Sequence, residues 1–304
     1  MTPDLSVRVG PLALKTPVFV SSGTFGYASE YEGLVDLSAI GAIVVKSLTL
    51  DPREGNKPPR IAETPSGMLN SIGLQNVGVD AFIADKLPFL RRIPVPVLAN
   101  VAGATLDEYE AVCRKLGDHQ GLAGVEVNIS CPNVKHGGME FGTNPTAAEE
   151  VTRRCRKIVK GALVVKLSPN VTDIASIARA AEAGGADAVS LVNTFLGAAI
   201  DTATRRPKLS TVFGGLSGPA IRPLAVRCVW QVAGAVKIPI IGMGGIMTGE
   251  DAAEFILAGA TAVSVGTASF LDPAAAVAVT DGLREYLARH RIASVKELVG
   301  AARG

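Results

Sequence analysis

The chain is 304 residues long, 48% hydrophobic and 19% charged, with a net charge of +2. That balance excludes a disordered chain and suits one globular domain spanning 1–304. With no long Lys/Arg block and no unbroken run of about 18 apolar residues, neither nucleic acid nor a membrane is an expected partner. The opening "MTPDLSVRVGPLALKTP" lacks the apolar core of a signal peptide, so a soluble, cytoplasmic protein is expected. Four cysteines, Cys113, Cys131, Cys155 and Cys228, form no CxxC pair. Reduced thiols follow, with no zinc or iron–sulfur site held by this chain alone.

In chain order, "SVRVGPLALKT" (6–16) comes first and reads as a small hairpin. Eight short runs rich in Val and Ile come after it: 18–23, 42–47, 95–101, 124–130, 162–169, 188–194, 238–245 and 262–267. They barely alternate, as strands buried on both faces of a parallel sheet do not. Helix-like stretches separate them. Asn144-Pro145 supplies an N-cap and a first-turn proline, and Gly218-Pro219 opens a helix in a similar way. Thr248 to Asp251 forms a capping box with Asp in place of Glu, while "AEAGG" and "LAG" end helices on glycine. Eight such units predict an α/β fold, the (β/α)8 barrel, with the hairpin closing its lower end. A doubly wound open sheet is the weaker reading, because no GxGxxG follows the first strand.

Three connections are long: 48–94, the one after Cys131, and 195–217. All follow a strand, so all are expected on the C-terminal rim where such barrels keep their sites. The strand ends should converge there. They read Ser22, Lys46, Asn100, Asn128, Lys166, Asn193 with Thr194, Gly244-Gly245 and Gly266-Thr267. Every one is polar or glycine although the runs behind them are apolar. Glycines after strands seven and eight let backbone N–H groups approach a phosphate, so a phosphate-bearing ligand is expected. Lys46 and Lys166 each end a "VVK" or "VVKL" run, where an ammonium needs an anion or an electron-rich ring. Asn70, Asn128, Asn133 and Asn193 offer donors and acceptors for a flat ring with alternating N–H and C=O groups. Cys131 stands just past the fourth strand. Its thiol could be a nucleophile or a general base, or simply buried and inert; no histidine is placed to form a Cys–His couple.

Together "NISCPNVKHGGMEFGTNP", "NSIGLQN", "KLSPNV", "GGLSGPAIRPLAVR" and "IPIIGMGGI" resemble the dihydroorotate dehydrogenase family over nearly the whole chain. The resemblance implies a flavin barrel that oxidises dihydroorotate to orotate in pyrimidine synthesis. It implies FMN as cofactor and Cys131 as the base that takes a proton from C5 while a hydride leaves C6. Lys46, Asn70, Gly73, Leu74, Asn128, Asn133, Asn193 and Thr194 would hold the substrate. Ser22, Lys46, Ser47, Asn100, Asn128, Lys166, Val192, Gly218, Gly244, Gly245, Gly266 and Thr267 would contact FMN, and the loop bearing Cys131 would act as a lid.

A cysteine base and "GLQN" look most like the class 1 (cytosolic), NAD-linked type 1B. That implies a homodimer core joined to a second subunit carrying FAD and a [2Fe–2S] cluster, in a heterotetramer of two chains of each kind. The fumarate-linked type 1A and a flavin barrel reducing uracil in tRNA are the alternatives. The latter needs a basic face that the charge balance does not offer.

Overall fold

A computed structural model of the protein describes residues 2–117, 119–130 and 141–304. The eight apolar runs form parallel strands hydrogen-bonded into a closed barrel. They are β1 (Val18–Val20), β2 (Ala42–Leu48), β3 (Val97–Val101), β4 (Gly124–Asn128), β5 (Ala162–Lys166), β6 (Ala188–Leu191), β7 (Ile240–Met243) and β8 (Ala262–Val265). Each pairs with its neighbour in chain order, and β8 closes on β1 with Val263 opposite Val18 and Val265 opposite Val20. Their Val, Ile and Leu side chains are almost wholly buried, which is why the runs show no polar alternation.

Helices α1 (Leu106–Gly117), α2 (Pro145–Ile158), α3 (Ile174–Ala183), α4 (Arg222–Ala233), α5 (Gly249–Leu257) and α6 (Ala275–Arg289) follow β3 to β8 in turn. Asn144 caps α2 by accepting from the Ala147 N–H, and Thr248 and Asp251 form the expected box on α5. Gly185 and Gly259 take positive φ just past α3 and α5, as helix-ending glycines should. The start at Gly218 differs from expectation. No side chain caps it, and a 3₁₀ turn (Pro219–Ile221) precedes α4. The first crossover also departs from the ideal unit. Two 3₁₀ turns, Ser29–Tyr31 and Leu37–Ala39, stand where a helix between β1 and β2 was expected. That segment carries Gly26 and Gly33 at positive φ, which interrupt any helix.

The N-terminal hairpin pairs Val7–Val9 with Leu12–Leu14. At its tip Gly10 (φ +56°) sits so close to Asp187, one residue before β6, that a Cβ would stand 2.6 Å from the Asp187 Cβ. The hairpin therefore covers the N-terminal end of the barrel. At the other end two of the long connections are not bare loops. Ile61–Thr64, Gly67–Asn70, Phe195–Ala198 and Phe213–Ser217 form a four-stranded antiparallel sheet above the mouth.

Two glycines test this packing in opposite directions. A Cβ at Gly124 would meet the Ala162 carbonyl oxygen at 2.2 Å and the Ala162 Cβ at 2.7 Å, inside the β4–β5 ladder. At Gly117 the nearest atoms are 3.9 Å away. Gly124→Ala is expected to cost at least about 2 kcal/mol, whereas Gly117→Ala should gain about 0.5 kcal/mol. Urea unfolding of the two variants beside the parent chain measures both.

Candidate functional site

The C-terminal ends of the strands open into a cavity of about 940 Å³. Its walls include Ser22, Lys46, Ser47, Asn128, Lys166 and Val192 from the strand ends, with Asn193 and Thr194 just beyond β6. Asn70, Gly73 and Leu74 reach it from the connection after β2, and Gly218, Gly244, Gly245, Gly266 and Thr267 from the connections after β6, β7 and β8. Of the described residues expected at the site, Asn100 alone is not on the wall. It is fully buried one layer below. Cys131 and Asn133 lie outside the described residues. The chain on both sides of them borders the cavity, at Ser130 and at Gly142 and Thr143.

Local geometry explains how each group gets there. In a regular strand neighbouring side chains point to opposite faces, so Lys46 and Ser47 could not both face one cavity. The β2–β3 register provides the exception: Val45 pairs with Ala99 and Leu48 with Val101, leaving Lys46 and Ser47 opposite one residue. This β-bulge turns both toward the mouth. On the next rim segment Asn76 accepts from the N–H groups of Thr49 and Gly78 and donates to Thr49 Oγ1 and the Leu74 carbonyl. Those four bonds hold the turn at Gly73 and Leu74, both at positive φ.

The glycine side is built differently. The Gly245 Cα faces the Gly218 carbonyl and Pro219, where any Cβ would be 2.8–3.0 Å from both. Asp251 accepts from the Met247 and Thr248 N–H groups at 2.9 and 3.0 Å and pairs with Arg222, fixing the start of α5 below the turn. The backbone N–H groups of Gly245, Ile246 and Gly266 have no acceptor among the described residues. Ile246 is buried and the two glycines partly so, and N–H groups withdrawn from water ordinarily find an acceptor. Three bare donors beside a helix start suit an anion such as a phosphate.

The amide side is partly ordered already. Asn128 Oδ1 accepts from the Ser130 N–H at 3.2 Å and lies 3.5 Å from Asn193 Nδ2, and the Asn128 carbonyl accepts from Tyr109 Oη at 2.7 Å. Asn70 Nδ2 donates to the Gly215 carbonyl at 3.3 Å. Asn170, missed in the sequence, donates to the Thr194 carbonyl and accepts from the Leu196 N–H, bracing the segment that carries Asn193 and Thr194.

Two ammonium groups border the cavity with different surroundings. Lys166 Nζ is 3.9 Å from Glu126 Oε2. Lys46 has no ion-pair partner among the described residues. Burial pushes its amine below the ordinary lysine range and the Arg60 charge pushes the same way, with Glu30 opposing. Glu126 itself was not foreseen, although an acid inside the Val125–Ile129 run is a signal in its own right, since a buried carboxylate must be answered by donors. The other cysteines, Cys113, Cys155 and Cys228, are buried free thiols away from the cavity wall.

The comparisons with known proteins agree with one another. The family model described as dihydroorotate dehydrogenase matches residues 4–287. The chain is 57% identical over 299 residues to the Citrifermentans bemidjiense protein named "Dihydroorotate dehydrogenase B (NAD(+)), catalytic subunit", covering 98% of each. It is 57% identical over 304 residues, all of both chains, to the Trichlorobacter lovleyi protein of the same name. The Phocaeicola vulgatus protein so named is 55% identical over 298 residues, 98% of each chain. A match of this length at this identity, on a barrel whose rim gathers Asn70, Asn128 and Asn193 with both lysines and the glycine turns, leaves one assignment: the chain belongs to the dihydroorotate dehydrogenase family.

Proposed function

We propose that this barrel oxidises dihydroorotate to orotate with flavin mononucleotide as its cofactor and passes the electrons to a separate subunit. One observation carries the reading: a single cavity joins a cradle of backbone N–H groups at Gly245, Ile246 and Gly266 to a wall of side-chain amides and a lysine, neither the N–H groups nor the lysine having an acceptor or ion-pair partner among the described residues. The cradle fits a single phosphate, and the amides fit the alternating N–H and C=O edge of a pyrimidine ring. When bound, the flavin would supply the acceptor for the hydride leaving C6 of the substrate.

The chain's own residues do the rest. Asn70, Asn128 and Asn193, with Asn133, orient the ring, and Thr194, Gly73 and Leu74 close around it. Ser22, Ser47, Lys166, Val192, Gly218, Gly244 and Thr267 would hold the cofactor, with Asn100 buried behind that wall. Cys131 removes the C5 proton. The roles of Cys131 and Asn133 rest on the resemblance of their motif, and the position of Ser130 on the cavity wall supports them. A thiol serves as base only if its thiolate is accessible and within hydrogen-bond reach of the proton removed. The relatives' names, "catalytic subunit" with NAD(+), support a partner chain and NAD as final acceptor; that the partner carries FAD and a [2Fe–2S] cluster rests on the resemblance of the sequence motifs alone.

Lys46 links the reading to pH. Its amine is held below the lysine range in the folded chain. Between that lowered value and the ordinary one, the unfolded chain binds more protons, so stability rises with pH through this window. An anionic ligand against Lys46 favours the charged form, so its binding weakens as pH rises through the lowered value.

Two outcomes are expected. Purified with flavin, the protein is bleached by dihydroorotate in a stopped-flow trace, and Cys131→Ala keeps the flavin but slows bleaching by at least about 10²-fold. Equal rates would remove Cys131 from the mechanism. Lys46→Met should stabilise the empty protein by about 0.5–2 kcal/mol and abolish the alkaline loss of orotate affinity, read by chemical denaturation and by fluorescence titration across pH.

A further inference from the structure

The function proposed above gives Glu126 no task. Yet it is a carboxylate only 2% exposed, in the interior of the barrel, directly under the cavity floor. Its Oε2 accepts from Asn100 Nδ2 at 2.5 Å and its Oε1 from Ser190 Oγ at 2.7 Å, so bonds from β3 and β6 hold the carboxylate against rotation. Lys166, on β5, is its one ion-pair partner among the described residues, at 3.9 Å. Such a group is costly: well-packed apolar side chains in place of a buried ion pair are often neutral or stabilising.

The network has a direction. Asn100 commits its Nδ2 to Glu126, and its Oδ1 is left buried with no partner among the described residues. Buried acceptors of this kind are rare and need a reason. Lys166, with its ammonium beside the carboxylate, borders the cavity. We propose that Glu126 is a positioning residue that acts through Lys166 and Asn100. It holds the ammonium at the cavity floor, fixes the Asn100 carboxamide with its oxygen as the free acceptor, and offsets the lysine charge felt by the flat ring bound above. The inference rests on the flavin reading of the cavity.

Charge decides the test. Lys166 alone would favour the negative charge that a flavin ring gains on reduction, and the Glu126 carboxylate moderates it. Glu126→Gln keeps the shape and an acceptor for Asn100 but removes the anion. Its bound flavin should show a midpoint potential shifted positive, equivalent to at least about tenfold in the reduction equilibrium. Glu126→Asp keeps the charge and should stay nearer the parent value. Ser190→Ala removes a donor dipole that offsets part of the carboxylate's field, so its shift should be smaller and in the opposite direction. The measurement is spectroelectrochemical titration of each flavin-loaded variant, with thermal unfolding alongside. A potential unmoved in Glu126→Gln while its unfolding temperature falls would mean a purely structural role and overturn the proposal. Should Glu126→Gln not fold, an unmoved potential in Ser190→Ala overturns it equally. A parent chain that neither carries nor takes up flavin would end the reading of the cavity, and this inference with it; flavin bound normally by the parent separates the two failures.

Discussion

Closure of β8 onto β1 is the contact on which everything else depends. It joins segments from opposite ends of the chain: Ser21 and Ser264, 243 positions apart, share a buried hydrogen bond of 2.8 Å that spans the last ladder pair. A barrel gains its core only when this seam is made, because each βα unit alone leaves its strand's inner face exposed to water. Non-local pairing of this kind is slow to find and strongly rewarded once found. It also sets the end of β1, at Ser21, beside the glycine turn after β8, so the rim is continuous only in the closed form.

The interior so formed is divided by height. Low in the barrel, small and aliphatic side chains such as Ala162, Ala188 and Leu98 fill the axis. One layer higher stand Asn100, Glu126, Lys166, Ser190 and Ser264, all buried and most bonded to one another. The layer above opens to the cavity. Polarity rises along every strand in the same direction, because all eight run the same way. Stability is given up in the middle layer to set charge and hydrogen-bonding at the upper one, the trade expected where binding needs groups that a core would reject.

Much of this was legible in the sequence because it is written locally. Strand runs without alternation, Asn144-Pro145, the Thr248–Asp251 box and the helix-ending glycines each act over a few residues, and the structure has them where the residues imply. The rim was legible too, because in a parallel barrel the end of each strand names its own place. What stayed hidden depends on partners far away in the chain. The antiparallel sheet over the mouth pairs Gly215 with Asn70, and no local pattern in "GGLS" or "SGMLN" announces that match. The missing helix between β1 and β2 reflects glycines whose effect outweighs the unit's repeat. A strand-end position alone does not give depth, which is why Asn100 lies below the wall, and Glu126 is hidden in the sequence by its apolar neighbours.

The irregularity at Lys46 and Ser47 makes the length of β2 a matter of counting as much as of chemistry. One residue fewer at that point would restore a flat ladder and swing either the lysine or the serine to the helix side, with every side chain type unchanged. An insertion there would do comparable harm. Homologues should therefore tolerate varied residues in this strand far more readily than any change in their number.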